Sequence, residues 1–146
     1  MEIIRNALAD LAPGRASIPL HVERLTLAKR RWRGMAADGR EFGFDVEQPL
    51  SDGAHVFETP DATYVLCQMP EPVLEAGLRE DTGASARLGW LIGNLHFQLE
   101  TTPGAIRVAD DPALRQMFHR EGVAYRQENA VFRPLGTSHS HGHHEH

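Results

Sequence analysis

The stretch "LIGNLHFQLETTPGAIRVADDPALRQMFHREG", residues 91–122, contains the punctuation that decides the fold of the second half of the chain. Its last part predicts a helix, because Asp111 can cap the first turn, Pro112 suits the first helical position and Gly122 can end the helix. The buried stripe of this helix is expected to be Leu114, Met117 and Phe118.

Four strands and a second helix are expected around that helix. "FQLE" and "AIRVA" predict a hairpin with Pro103-Gly104 in its loop. Upstream, Asp81-Thr82 can cap a helix that stops near His96. Its apolar stripe is expected to be Leu88, Leu91, Ile92 and Leu95. "PVLEAGLRE" and "VAYRQENAVFRP" predict the first and last strands, so the order β-α-β-β-α-β indicates a ferredoxin-like domain.

The first half of the chain has the pattern of short strands joined by tight turns. Asp38-Gly39 and Asp52-Gly53 predict turns, and apolar residues alternate in "EFGFDV" and "TYVLC". "HVERLTLA" also predicts a strand through Val22, Leu25 and Leu27, although its alternation is imperfect. These features indicate a small antiparallel sandwich or barrel.

The predicted fold class is therefore α+β, in three parts. Pro70 and Pro72 in "MPEPVLEA" mark a boundary, since proline disfavours helix at the residue before it. Residues 1–69 are expected to form the antiparallel β-rich domain, and residues 70–135 the ferredoxin-like domain. Residues 136–146, which lack apolar side chains, are expected to be a flexible histidine-rich tail.

Composition excludes several classes of function. The formal charge of −5 and the scattered cations argue against a nucleic-acid binder. No stretch approaches the ~20 apolar residues of a membrane span, and the single cysteine, Cys67, forms no intrachain disulfide. Cys67 is expected to be a small buried residue, and the cytoplasm is the expected location. No catalytic pair or phosphate-binding loop is recognisable, so the protein is not expected to be an enzyme.

Histidine is the residue type that points to chemistry. Imidazole suits nickel, copper and zinc, and composition alone leaves these three metals open. Five of the nine histidines lie in the last eight residues, and all five are candidate metal ligands. They are His139, His141, His143, His144 and His146. A flexible segment of this kind is expected to bind several ions loosely, because it must be ordered on binding.

His96, at the end of the earlier predicted helix, is the other candidate ligand. A lone histidine at this position is more often a partly buried structural residue, and one imidazole makes a poor metal site. A twofold dimer, however, presents the same residue twice. His21, His55 and His119 are interpreted as structural or surface residues.

At "LIGNLHFQLE" the sequence resembles the UreE family of urease accessory proteins, in which a helix ends in Gly-Asn-x-His. "DPALRQM", "AVFRPLG", the earlier "LTLAKRRWRGMAADGREFGFDV" and the histidine-rich end extend the resemblance over nearly the whole chain. It implies a homodimeric nickel metallochaperone with a β-rich partner-binding or peptide-binding domain and a ferredoxin-like metal-binding domain. His96 would bind Ni²⁺ jointly with its symmetry mate. The implied partners are the urease maturation GTPase, its companion accessory proteins and apo-urease.

The sequence departs from this family at one position that matters. Several relatives have a His-x-His pair just before the second helix, where this chain has Asp110 and Pro112. An auxiliary site that depends on that pair is not expected here, and the tail becomes the expected source of further ligands. Two alternatives remain: a metal store without handover, and a protein-interaction module whose tail is incidental or engineered.

Overall fold

The computed structural model describes residues 1–136, and the predicted tail lies beyond this range except for Gly136. The described residues belong to two compact units, residues 1–69 and residues 70–136. Both units contain strands and helices, so the predicted α+β class is confirmed. Within residues 1–136, no helix is both long enough and apolar enough to cross a bilayer.

The first unit contains six strands and one helical turn. The strands are β1 Glu2–Ile4, β2 Ala16–Val22, β3 Arg31–Met35, β4 Glu41–Asp45, β5 His55–Glu58 and β6 Ala62–Gln68, and the helix is α1 Arg24–Leu27. They form two three-stranded sheets with the orders β1-β4-β3 and β2-β6-β5.

The core of this unit is built from the inward-facing side chains of both sheets. Trp32 of β3 stacks on Phe44 of β4, with ring centroids 3.8 Å apart. Phe42 meets Tyr64 of the other sheet edge to face at 5.2 Å. Leu20 and Leu66 are completely buried in the same cluster. Alternation along each strand therefore places one apolar face of each sheet in a shared core.

The prediction that this unit is antiparallel is wrong for half of its strand pairs. The hairpin pairs β3–β4 and β5–β6 are antiparallel, but β1–β4 and β2–β6 are parallel. A parallel pair needs a long connection, and the chain between β2 and β6 supplies one. Alternating apolar residues indicate which face of a strand is buried, but carry no information about its direction.

The strand predicted over "HVERLTLA" is also wrong in its second half. β2 ends at Val22, and the chain then turns through α1. Leu27 is buried, whereas Leu25 is 68% exposed. The alternation of apolar residues in this segment is therefore imperfect because its second half forms a helical turn and does not continue the strand.

The second unit has the element order β-α-β-β-α-β. Its elements are β7 Glu71–Gly77, α2 Thr82–Asn94, β8 Glu100–Thr102, β9 Ala105–Ala109, α3 Pro112–Glu121 and β10 Arg126–Ala130. The four strands form a sheet with the order β10-β7-β9-β8, in which each neighbouring pair is antiparallel.

Both helices contribute to one core with the sheet. Leu74 of β7 lies beside Val108 of β9, and these side chains share a cluster with Ile92 of α2 and Phe118 of α3. The intervening residues point to the opposite face, where Glu75 accepts a hydrogen bond from Arg107 at 2.9 Å. Hydrogen bonds from Arg126, and then Arg107, hold the pKa of the Glu75 carboxyl below its usual range.

The predicted helix punctuation is confirmed in this unit. Asp81 caps α2 and Asp111 caps α3, each accepting from backbone N–H groups in the first turn. Gly122 ends α3 in the left-handed conformation with φ 69°, and Gly104 adopts φ 91° in the β8–β9 turn. Leu95 is an exception, because it is 39% exposed although it was expected in the buried stripe. α2 has already ended at Asn94, so Leu95 lies outside the helical periodicity.

Candidate metal centre

The end of α2 determines the position of His96. The His96 N–H donates to the Gly93 carbonyl at 2.9 Å, and the Phe97 N–H donates to the Ile92 carbonyl at 3.3 Å. These two bonds form a Schellman motif, which satisfies carbonyls that the helix leaves free. Ile92 is completely buried and Phe97 packs against the same core. The packing of Ile92 and Phe97 in the core therefore anchors the motif and fixes the backbone position of His96.

His96 occupies the left-handed position of this motif, with φ 65°. Among residues 1–136 it is the one non-glycine residue with a positive φ. Glycine usually holds this position, because a Cβ in left-handed backbone costs roughly 1–2 kcal/mol. Strained backbone that persists against such a cost is concentrated at functional sites. The backbone therefore gives a reason, independent of composition, to regard His96 as functional.

The surroundings of His96 favour cation binding by this residue over a structural role. His96 is exposed, so the alternative of a satisfied, partly buried histidine does not apply. It follows the C-terminus of a 13-residue helix, where the helix dipole favours positive charge. No group of three potential ligands occurs anywhere in residues 1–136. The described residues of one chain therefore do not form a complete metal site around His96, and a metal bound there would need ligands from elsewhere.

The five tail histidines predicted as ligands lie outside the described residues, so the structure does not place His139, His141, His143, His144 or His146. The segment that leads to them is placed. The Leu135 N–H donates to the Leu99 carbonyl at 2.7 Å, and the Arg133 N–H donates to the Glu100 carboxylate at 3.2 Å. A hydrogen bond therefore holds Leu135, the residue before Gly136, against Leu99, which lies three residues after His96.

Asp110 is committed to an ion pair. Its two carboxylate oxygens accept from Arg115 Nε at 2.7 Å and Arg115 Nη2 at 2.6 Å. The hydrogen bonds from Arg115 lower the pKa of the Asp110 carboxyl. Pro112 is the first residue of α3, and its side chain has no ligating atom. Of the two positions where several relatives were expected to carry His-x-His, one therefore holds a carboxylate paired with Arg115 and the other a proline.

We expect Asp110→Asn to leave nickel affinity and stoichiometry unchanged, because this carboxylate is occupied by Arg115. It should lower stability slightly at neutral pH. Since the folded pKa of Asp110 is lowered, its contribution is complete above the ordinary aspartate pKa and is lost as pH falls through the folded value. The difference between wild type and variant in thermal unfolding should therefore shrink on acidification. A nickel stoichiometry reduced in Asp110→Asn would show that Asp110 is a ligand.

The remaining histidines and Cys67 have local roles. His55 Nδ1 lies 3.1 Å from Thr63 Oγ1, and His119 Nε2 lies 2.9 Å from the Tyr125 hydroxyl. His21 is exposed on β2 and pairs in register with Cys67. Cys67 is half-buried and not fully buried as expected, and burial raises the pKa of its thiol. A raised pKa disfavours the thiolate that metals and electrophiles require.

Trp90 was not recognised from the sequence as a candidate functional residue. It is 64% exposed, although it lies in α2 between the buried residues Leu88 and Ile92. A Cβ built on Gly89 or Gly93, on either side of it, would have no heavy atom within 4 Å apart from its chain neighbours and the backbone of α2. Helical spacing could have predicted the exposure of Trp90, because this residue lies about 200° around the helix from the buried Leu88 and so falls on the solvent side.

These features define a class of protein: an α+β protein of two units whose second unit presents a histidine at a helix end. Residues 71–146 match the family model described as UreE urease accessory protein, C-terminal domain. A urease accessory protein UreE of Paracoccus denitrificans (strain Pd 1222) is 32% identical over an alignment of 143 positions, which covers 96% of this chain and 85% of that protein. The UreE of Pseudomonas fluorescens (strain SBW25) is 28% identical over an alignment of 147 positions, which covers 99% of this chain and 87% of that protein.

The chain therefore belongs to the UreE family of urease accessory proteins, and the resemblance inferred from its residues is confirmed. The family is named for an accessory role in relation to urease and not for a catalytic activity of its own.

Proposed function

We propose that this protein is a nickel metallochaperone, which carries Ni²⁺ and donates it for assembly of the urease active site. The observation that carries the proposal is His96, an exposed imidazole held in left-handed backbone at the end of α2. Membership of the UreE family of urease accessory proteins supports a metal-binding role for that imidazole. Zn²⁺ and Cu²⁺ should compete in vitro, because imidazole binds both and the general affinity order favours copper.

The proposed site is completed by a second copy of the chain. A homodimer places two His96 side chains near its twofold axis, where they bind one Ni²⁺ jointly. The exposed side of α2 supports this arrangement, because Trp90 is a large apolar residue flanked by glycines. Glycine within a helix is destabilising by roughly 0.5–1 kcal/mol relative to alanine. Two such residues, at which an added Cβ would meet nothing within 4 Å beyond its own helix, suit close approach by another chain.

The tail is proposed to collect Ni²⁺ and transfer it to the His96 pair. His139 lies four positions after Leu135, a span of at most ~14 Å, and Leu99 lies three positions after His96, a span of at most ~10 Å. Because Leu135 is bonded to Leu99, the histidines at positions 139–146 can reach His96 of their own chain. Tethering raises the effective concentration of these ligands at the site without a new contact.

Handover completes the proposed mechanism. The Ni²⁺ bound at the His96 pair passes to the urease maturation GTPase, its companion proteins and apo-urease in the cytoplasm. Residues 1–69 would supply the partner-binding domain and residues 70–135 the ferredoxin-like metal-binding domain. Apo-urease activation at limiting nickel separates a chaperone from a metal store. A chaperone accelerates activation above the rate with free Ni²⁺ at the same total concentration, whereas a store does not.

Removal of residues 137–146 should reduce the number of Ni²⁺ ions bound while leaving the tightest site in place. The five tail histidines are lost, but His96 and the exposed side of α2 remain. Isothermal titration with Ni²⁺ would measure both quantities on the full chain and on the truncated chain. The matched control is the full-length chain with the five tail histidines replaced by serine, which should behave like the truncation. Equal stoichiometry in all three proteins would contradict the collecting role.

A further inference from the structure

The sheet β1-β4-β3 has an outer face that the proposed nickel site does not use. Strand register defines it, because every second residue of each strand points away from the core. Ile3 aligns with Gly43 and Arg33, and Met35 aligns with Glu41. We call this surface the outer sheet face and define it by Met1, Ile3, Arg5, Arg31, Arg33, Met35, Glu41, Gly43 and Asp45.

Exposed apolar side chains occupy one part of the outer sheet face. Met1 is 63% exposed, Met35 56% and Ile3 49%. A methyl group built on Gly43 would lie 2.9 Å from Ile3 Cδ1 and 3.4 Å from Met1 Cε. The two side chains therefore lie flat across the strand, where glycine leaves room for them. Methionine side chains are flexible and polarisable, which suits surfaces that bind partners of variable shape.

Arginines occupy the other part of this face. Residues 24–33 contain five of the fifteen Lys and Arg residues and no Asp or Glu, in a chain whose net charge is −5. Asp45 is neutralised from both sides, by Arg5 Nη1 at 3.0 Å and Arg31 Nε at 3.3 Å. Arg33 is exposed in the row that contains Ile3. The three arginines of the face therefore outnumber its two acids, Asp45 and Glu41, and Lys29 and Arg30 precede β3 in the adjoining turn.

We propose that the outer sheet face docks a partner protein through a segment in which carboxylates alternate with apolar side chains. The carboxylates would pair with Arg33 and with Lys29 and Arg30 in the turn before β3, while the apolar side chains cover Met35 and Ile3. A nucleic acid or an anionic membrane would use the cations and leave three large apolar side chains without a role. The proposal rests on the proposed function only in that a carrier requires a recipient.

The test uses the full chain without nickel, so that its result is independent of the metal site. The probe is a fluorescein-labelled peptide in which Glu alternates with Leu, followed by fluorescence anisotropy. Peptides that alternate Glu with Ser, and Lys with Leu, test the apolar and the charged component separately. A DNA duplex and phosphatidylglycerol vesicles test the two other anionic ligand classes.

Binding of the Glu–Leu peptide should weaken about tenfold or more in Arg33→Glu, since like charges then face each other. In Met35→Ser it should weaken severalfold. The control is Arg79→Glu, which makes the same change of net charge at an exposed position of the second unit and should leave binding unchanged. Near-UV circular dichroism would establish that each variant is folded.

Four results would overturn the proposal: no binding of the Glu–Leu peptide, equal binding by Arg33→Glu and Arg79→Glu, equal binding of the Glu–Ser peptide, or tighter binding of DNA or vesicles. Nickel titration of Arg33→Glu should match wild type. Loss of peptide binding with intact nickel binding therefore concerns the docking surface alone, and the reverse concerns the metal site alone.

Discussion

Replacement of His96 by glycine is expected to remove the tightest nickel site and at the same time to stabilise the fold. The two effects have opposite signs because one residue has two roles. Its imidazole is the proposed ligand, and its Cβ is the source of strain at φ 65°. Glycine removes both. An ordinary structural histidine would not couple a gain in stability to a loss of metal binding.

The expected changes in nickel affinity and in the free energy of unfolding are each large enough to measure. Loss of residues that merely orient metal ligands weakens metal affinity ~10–100-fold, so loss of the ligand itself should reach at least ~100-fold. Relief of left-handed strain should raise the free energy of unfolding by roughly 1 kcal/mol relative to His96→Ala, which keeps the Cβ. Urea unfolding and nickel titration of wild type, His96→Gly and His96→Ala would measure these effects.

His119→Gly is the matched control. His119 lies in the last turn of α3 in ordinary helical backbone and donates to or accepts from Tyr125. Glycine there should destabilise the fold by about 1 kcal/mol and leave nickel binding unchanged. If His96→Gly also destabilised the fold, the left-handed position would not be a source of strain. If it bound nickel as tightly as wild type, His96 would not be the central ligand.

The sequence predicted the local features of this structure better than the non-local ones. Asp111, Pro112 and Gly122 define α3 because caps depend on residues within one turn. The parallel pairing of β2 depends instead on a strand whose residues lie 46 positions later, and nothing in "ASIPLHV" specifies the direction of that strand. A local prediction therefore succeeds where the determining atoms are adjacent in sequence.

The candidate site shows the same division. His96 is a candidate ligand on the sequence alone, because of its residue type, its place at the end of the helix and the family resemblance at Gly-Asn-x-His. Its left-handed backbone could not be predicted, because that position normally selects glycine or asparagine. The pairing of Asp110 with Arg115 was also missed, although the two residues are only five apart. Several arginines were available to this carboxylate, and composition does not choose between them.

Replacement of Trp90 by glutamate is expected to convert the proposed homodimer into a monomer. Trp90 is 64% exposed, and a Cβ added at Gly89 or Gly93 of the same helix would meet nothing within 4 Å beyond the helix itself. If α2 meets its symmetry mate, the indole becomes buried and contributes as tryptophan usually does at the centre of interfaces, by about 2–4 kcal/mol. A carboxylate at that position would also be buried next to its own copy. Dissociation should therefore become at least ~30-fold easier.

Sedimentation velocity over a range of protein concentrations would measure the change. Arg87→Glu is a suitable control, because it also places a new carboxylate on the exposed surface of α2, at a side chain 63% exposed. It removes the ion pair with Glu121 but no large apolar surface, so a dimer held by Trp90 should persist. At protein concentrations below the dimer dissociation constant, unfolding of Trp90→Glu in urea should resemble that of wild type, since Trp90 lies outside the core of its own unit.

The same variant also tests whether the proposed nickel site depends on the proposed homodimer. A monomer keeps His96 in its strained backbone but loses the second imidazole, so Trp90→Glu should weaken the tightest nickel site without a change at any ligand. The nickel affinity of wild type should then depend on protein concentration near the dimer dissociation constant, whereas that of Trp90→Glu should not. If Trp90→Glu were monomeric and bound nickel as tightly as wild type, one chain would complete the site alone. The ligands beyond His96 would then have to come from its own tail.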